Sequence, residues 1–114
     1  MVTEFGAYFR QIREDLRVSM GQVARFLGVT VSYVSDVELG KRAPFTDDRI
    51  KAAASFLKVD PGPLIELAGR CRGFFEIHPK NSRQYQVGAA LARRFDELSE
   101  DQLARLEAIV GEED

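Results

Sequence analysis

The amino-acid sequence predicts an all-α fold with five short helices, a linker that has room for one short strand, and two further helices. Three observations lead to this fold class. Apolar residues recur at spacings of three and four, residues that cap helix N-termini precede these stripes, and glycines follow them. With 114 residues, 45% hydrophobic and 30% charged, the chain is long enough for one soluble domain and an extension.

The first three helices are expected within the N-terminal third of the chain. Residues 4–17 carry one apolar stripe at helical spacing: Phe5, Phe9, Ile12 and Leu16. A second helix is expected to begin after Ser19, because Ser19 and Gln22 have the spacing of a capping box, and to end at Gly28. A third helix is expected over residues 30–39, with a threonine as its N-cap.

Two more helices complete the expected N-terminal domain, residues 1–69. Thr46 is the predicted N-cap of a fourth helix that runs to about Leu57, and Asp60-Pro61 marks the start of a fifth that ends near Gly69. Residues 70–81 are then expected to form a linker, in which a short apolar, β-prone run is the candidate strand.

The last two helices are expected in a C-terminal extension, residues 82–114. Ser99 and Gln102 predict a second capping box between them, and Gly111 is the expected end of the last helix. The apolar residues of this extension are too many for a free tail, so we expect them to pack on the core, on another protein or, as we favour, on a second copy. The predicted dimerisation residues are Phe74, Phe75, Ile77, Leu91, Phe95, Leu98, Leu103, Leu106 and Ile109.

The composition argues against an enzyme. A single cysteine, Cys71, and a single histidine, His78, leave no cluster of nitrogen and sulfur ligands for zinc and no serine or cysteine nucleophile paired with histidine. No glycine-rich phosphate loop is present. We therefore expect no catalytic residues, no metal and no cofactor.

No signal for a membrane or for export is found in the sequence. The N-terminus mixes charged and apolar residues, unlike a signal peptide, and no apolar run approaches the roughly 20 residues of a membrane span. The expected location is the cytoplasm.

The charge is distributed unevenly along the chain. The net charge is −2 overall, which argues mildly against a nucleic-acid partner. Residues 1–80 have twelve basic and ten acidic residues, or +2, whereas residues 81–114 have four basic and eight acidic residues, or −4. The acidic excess therefore belongs to the extension and not to the predicted N-terminal domain.

The most specific pattern lies between Met20 and Val37. Counted from Met20, a small residue stands fifth (Ala24), a glycine ninth (Gly28), and apolar residues fifteenth (Val34) and eighteenth (Val37). Two helices that cross at about 90–120° over a short turn need a small residue at the contact, a permissive residue in the turn and apolar residues that pin the second helix. The spacing predicts a helix-turn-helix.

Residues 5–68 resemble the lambda-repressor-like family of helix-turn-helix domains, also described as Cro/repressor-type or xenobiotic-response-element domains. The resemblance rests on these segments: Ile12-Arg13, Ser19, Val23-Ala24, Leu27-Gly28-Val29, Ser32-Tyr33-Val34-Ser35 and Glu38-Leu39-Gly40-Lys41-Arg42-Ala43-Pro44. The family's five-helix domain binds operator DNA. The resemblance therefore implies a five-helix DNA-binding domain, here followed by a short C-terminal helical extension.

The resemblance also implies roles for individual residues, with residues 30–39 as a recognition helix in the major groove of double-stranded DNA. Positions that face bases in the family are occupied by Thr30, Val31, Ser32 and Asp36. Positions that lie along phosphates are occupied by Tyr33, Ser35, Lys41, Arg42 and Thr46, and the expected DNA-binding set also includes Met20 and Gln22. Arg13 and Glu38 match a pair that forms an internal salt bridge in the family.

The sequence departs from the family at three of these positions. Met20 stands where the family often has a glutamine that contacts phosphate, and Val31 and Asp36 replace frequent amide side chains. Valine can touch a thymine methyl group and aspartate can accept a hydrogen bond from cytosine, but a carboxylate also repels phosphates. We therefore expect few direct contacts to base edges, and we expect recognition of DNA shape to supplement them.

Three hypotheses of function remain open at this point. The first is a homodimeric bacterial or phage transcription regulator, a repressor, that binds a palindromic operator. The second is an antitoxin-type interaction module that binds a partner, a toxin or a protease, through residues 82–110. The third is a DNA-binding scaffold without a regulatory role.

Overall fold

The computed structural model describes residues 4–112, which form seven α-helices and one turn of 3-10 helix, with no strand among them. The helices are α1 (Glu4–Asp15), α2 (Met20–Leu27), α3 (Val31–Glu38), α4 (Asp47–Leu57), α5 (Gly62–Arg72), α6 (Ser82–Arg94) and α7 (Glu100–Val110). The all-α prediction is confirmed. The candidate strand is not formed, since residues 75–80 have no regular secondary structure. The chain divides into two compact units between Glu76 and Ile77.

The caps that separate α2 and α3 are formed by the residues that the sequence pattern indicates. The Ser19 hydroxyl accepts from the Gln22 backbone N–H at 3.0 Å, and the Gln22 side chain accepts from the Ser19 N–H at 2.8 Å. Gly28 ends α2 with a φ of 71°, a conformation that favours glycine. The Thr30 hydroxyl then accepts from the Tyr33 N–H at 3.0 Å and begins α3.

The core of the first unit is built by α1–α5 together with the loop before α4. Its buried members are Phe5, Phe9, Val23, Ala24, Val34, Val37, Phe45, Ile50, Ala53, Leu57, Leu64 and Ala68. Phe45, from the loop, meets the rings of Phe9 and Phe5 edge-on at 5.2 and 5.8 Å. Edge-to-face pairs of this kind add about 0.5–1.5 kcal/mol beyond the burial of area. The loop that follows α3 is therefore anchored in the centre of the domain.

Gly6 allows α1 to approach the C-terminal end of α3 closely. A Cβ atom at this position would lie 2.4 Å from the carbonyl oxygen of Glu38 and 2.7 Å from that of Val37, so any larger residue would push the two helices apart. This close approach brings Arg13 of α1 and Glu38 of α3 into reach of each other.

The end of α5 differs from the sequence prediction. The helix runs to Arg72 instead of ending near Gly69, and the left-handed residue that ends it is Gly73, with a φ of 87°. Gly69 has a packing role, because a Cβ there would lie 2.2 Å from the ring of Phe75. The first three residues of the predicted linker are thus helical.

Asp47 ties the end of α5 to the start of α4. Arg72 donates to the Asp47 carboxylate at 3.0 Å and to the carbonyl oxygen of Phe45, and the Glu76 backbone N–H donates to the same carboxylate at 3.2 Å. The side chains of Arg72 and Asp47 are each only 8% exposed. Asp47 therefore has a tertiary role in addition to its favourable place in the first turn of a helix.

The second unit contains α6, the 3-10 turn Phe95–Glu97 and α7. Asn81 caps α6 by accepting from the Gln84 N–H at 2.8 Å, and Ser99 and Gln102 form the predicted capping box of α7. None of the described residues in these three elements is buried. Up to residue 112, this unit therefore has helix caps but no fully buried side chain in its helices.

Candidate nucleic-acid interface

The first two residues of α3 present their side chains to solvent. Val31 and Ser32 are exposed, whereas Val34 and Val37 on the opposite face are buried in the core. Asp36 is half-buried one turn further along, and Thr30 is committed to capping the helix. Of the four residues predicted to face bases, Val31 and Ser32 are thus the ones that project from the exposed turn.

Tyr33 is the centre of a basic cluster beside this turn. The guanidinium carbons of Arg42 and Arg49 lie 5.2 and 5.4 Å from the centre of its ring, and Arg49 also donates to its hydroxyl at 3.1 Å. The ring itself rests against buried Phe45, with centroids 5.8 Å apart. We call Tyr33, Arg42 and Arg49 the Tyr33 cluster. It brings the first turn of α4 next to the first turn of α3.

The loop between α3 and α4 folds back on the end of α3. The backbone N–H groups of Lys41 and Arg42 both donate to the carbonyl oxygen of Asp36, at 2.8 and 3.2 Å. Lys41 and Arg42 remain exposed, and Thr46 at the far end of the loop accepts from the Arg49 N–H at 3.3 Å to cap α4. This fold-back holds the exposed cations of the loop close to α3.

Met20 and Gln22 at the start of α2 are in different surroundings. The Gln22 side-chain oxygen accepts a hydrogen bond in the capping box, and Met20 packs against the core. Met20 and Ser35 also line one pocket of about 250 Å³, together with residues of α1 and the end of α3. The Met20 side chain therefore packs against the core and lines this pocket.

Arg13 and Glu38 form a buried, bidentate ion pair. Both hydrogen bonds between the two side chains are 2.8 Å long, and Arg13 donates a third bond to the carbonyl oxygen of Val18 at 3.0 Å. The hydrogen bond to Glu38 raises the pKa of Arg13, against the opposing effect of burial. Because Arg13 belongs to α1 and Glu38 to α3, the pair connects these two helices inside the domain.

The predicted dimerisation residues are mostly exposed in this single chain. Phe74, Phe75, Ile77, Phe95 and Ile109 are each more than half exposed, with values from 56% to 69%. Leu91, Leu98 and Leu103 are half-buried, and Leu106 is 36% exposed. Phe75 differs from the others because it also covers Gly69.

Sequence reasoning missed Arg49 and Asp47. Arg49 carries no motif, and its contact with Tyr33 joins residues 16 positions apart. The acidic pair at the start of α4 is typical of any helix N-terminus, so nothing local distinguishes the buried Asp47 from its exposed neighbour Asp48.

Residues 4–112 contain no group of three or more histidine, cysteine, aspartate or glutamate side chains placed to hold a metal ion. Within the same residues, no helix has the length and apolar character needed to cross a membrane.

Comparison with known proteins identifies the class to which this fold belongs. Residues 4–68 match the family described as helix-turn-helix domain, and the chain belongs to this family. The matched region contains α1–α4 and most of α5, and with them the exposed turn of α3 and the Tyr33 cluster.

Two relatives from Bacillus subtilis are similar over most of this chain. It is 31% identical over 85 residues, 75% of its length, to the uncharacterized HTH-type transcriptional regulator RghRB. It is 29% identical over 103 residues, 90% of its length, to the HTH-type transcriptional repressor RghR. The chain spans 61% of the length of the first relative, which is less than two thirds, and 73% of the second.

Proposed function

We propose that this protein is a transcriptional regulator that binds double-stranded DNA sequence-specifically, with α3 as the recognition helix in the major groove. The observation that carries this proposal is the exposed N-terminal turn of α3 with a cluster of cations beside it. A major groove about 12 Å wide admits such a helix, and phosphates line both edges of the groove. No catalytic step and no cofactor belong to this function.

Two groups of side chains have different tasks in the proposed complex. Val31 and Ser32, with Thr30 and Asp36, face the base edges and give sequence preference. The phosphate contacts come from Ser35, Lys41, Arg42 and Thr46 and from backbone N–H groups at the start of α2, where Met20 and Gln22 lie, while Tyr33 lies beside these phosphates. Phosphate contacts supply affinity and orientation but carry no direct sequence information. The name of one relative, a transcriptional repressor, supports repression as the outcome of binding.

The second unit makes the protein a homodimer on a palindromic operator. The described residues of α6 and α7 bury no side chain, although exposed apolar residues such as Phe95 and Ile109 lie along them. Helices this short obtain their stability from packing an apolar face and not from intrinsic propensity. A second copy supplies the missing partner and places a second α3 on the DNA, which matches the two-fold symmetry of a palindrome.

Selection from a random DNA library tests the proposed function. The protein should enrich an inverted repeat at low salt, and the absence of any enriched sequence would refute DNA recognition. Ser32→Ala should change the preferred sequence, whereas Lys41→Ala with Arg42→Ala should weaken binding to all sequences alike.

Sedimentation of the full chain tests the dimer. Phe95→Glu with Ile109→Glu should convert the protein to a monomer and weaken operator binding without changing the sequence preferred by α3. Lys51→Glu, an exposed change in the first unit, is the control. If the wild-type chain is a monomer at micromolar concentration, the homodimer is excluded and α6 and α7 become candidates for binding a toxin or a protease.

A further inference from the structure

We infer that Arg49 binds a DNA backbone phosphate and that Tyr33 positions it for this contact. The inference rests on the proposed DNA-binding function and adds a residue to it. Arg49 lies in the first turn of α4, outside the helix-turn-helix and outside the loop that carries Lys41 and Arg42.

The geometry of the Tyr33 cluster places two cations on one aromatic ring. Arg42 and Arg49 approach the ring of Tyr33 to 5.2 and 5.4 Å, within the distance of a cation–π contact. Arg49 is further fixed by its hydrogen bond to the Tyr33 hydroxyl at 3.1 Å. The hydroxyl and the ring together restrict where the Arg49 guanidinium can lie.

The two arginines of this cluster, Arg42 and Arg49, have no carboxylate bound to them within residues 4–112. The carboxylate of Asp47, two residues before Arg49, is engaged by Arg72. Both arginines are exposed, so an external anion can reach them.

The chemistry of the cluster favours phosphate as that anion. One nitrogen of Arg49, Nη1, is bonded to Tyr33, and a guanidinium has further N–H donors in a planar fork that suits phosphate oxygens. Because the cluster adjoins the exposed turn of α3, a helix that enters the major groove brings Arg49 to the phosphates at the groove edge.

The salt dependence of binding to the selected operator tests the inference. Arg49→Ala should make the negative slope of log K against log salt less steep by about 0.9, the value for one neutralised phosphate, and so weaken binding roughly eightfold at about 0.1 M salt. The loss should be the same for every DNA sequence. Lys51→Ala removes one charge from the same helix without any contact to Tyr33, and should leave the slope unchanged.

The role of Tyr33 requires a second comparison. Tyr33→Phe keeps the ring but removes the acceptor for Arg49, so it should produce part of the Arg49→Ala loss. Combined with Arg49→Ala, it should add little, because the hydroxyl acts through Arg49. Equal additional losses in both backgrounds would show that the hydroxyl acts independently and would overturn the positioning role.

Three results would overturn the Arg49 assignment. If Arg49→Ala binds the operator with the salt slope and affinity of the wild-type protein, Arg49 does not contact a phosphate. If Arg49→Ala and Lys51→Ala reduce the steepness of the salt dependence equally, the effect comes from the overall charge and not from a specific contact of Arg49. A changed sequence preference means a base contact. If the wild-type protein selects no DNA at low salt, the proposed function itself fails and the inference fails with it.

Discussion

Removing Glu38 should severely destabilise the first unit. Glu38→Ala leaves the guanidinium of Arg13, a residue only 8% exposed, with the carbonyl oxygen of Val18 as its remaining described partner. Removal of one member of a buried ion pair costs about 3–5 kcal/mol, because the other charge stays buried without its partner. That is a large part of the roughly 5–15 kcal/mol by which a domain is stable.

Thermal and urea unfolding of the full chain measure this loss. For a domain of 60–100 residues, each kcal/mol lowers the midpoint by about 4–8 °C, so Glu38→Ala should lower it by at least 12 °C or so. The raised pKa of Arg13 means that this stabilisation is present below the unfolded pKa and is lost only as pH rises through the higher folded value. Arg13 should therefore keep its proton between about pH 5 and pH 10, and its titration should cause no loss of stability in that range.

Two variants separate this mechanism from a general sensitivity to mutation. Arg10→Ala breaks an exposed pair with Glu14, whose side chains are 52% and 50% exposed, and should cost no more than about 1 kcal/mol. Arg13→Met combined with Glu38→Leu replaces both charges by apolar groups and should recover most of the lost stability. A loss below about 1 kcal/mol for Glu38→Ala, or a double variant no more stable than the single one, would refute the reasoning.

Three further predictions concern the same unit and are measured by urea unfolding. Gly69→Ala should change stability by less than about 1 kcal/mol, because the atoms it meets are the end of the exposed Phe75 ring, which can turn aside, and alanine is favoured over glycine in a helix; a larger loss would contradict this. Asp47→Ala should cost about 3–5 kcal/mol because it leaves buried Arg72 without its carboxylate; a loss like that of an exposed pair contradicts this. Ser19→Ala should cost about 1 kcal/mol by removing the cap of α2, with Ser19→Asp retaining most of it.

Features determined by nearby residues were predictable from the sequence. The N-caps Ser19, Thr30 and Ser99 were identified because a capping side chain bonds to a backbone N–H only a few residues away. The turn at Gly28 was identified because its φ of 71° is a local requirement. These signals were sufficient for the order of the helices and for the position of α3.

Features that depend on the tertiary fold were not predictable in this way. Gly69 has the same sequence signal as a glycine that ends a helix, and only the position of the Phe75 ring distinguishes the two. Arg72 and Asp47 are 25 residues apart, and Arg49 and Tyr33 are 16 apart, so no helical periodicity connects them. The residues of the candidate site on α3 and at the N-cap of α4 could be proposed from the sequence, whereas Arg49 could not.

The hydrogen bond from the Glu76 N–H to Asp47 fixes the point at which the chain leaves the first unit. In the proposed dimer, the connector from Ile77 to Asn81 begins in each copy beside the N-terminal end of α4. The length of this connector limits the distance between the two copies of α3. Lengthening this connector would change the distance between half-sites that the dimer accepts while leaving the bases read by α3 unchanged. If the proposed dimer forms, operator spacing and operator sequence are thus determined by separate segments of the chain.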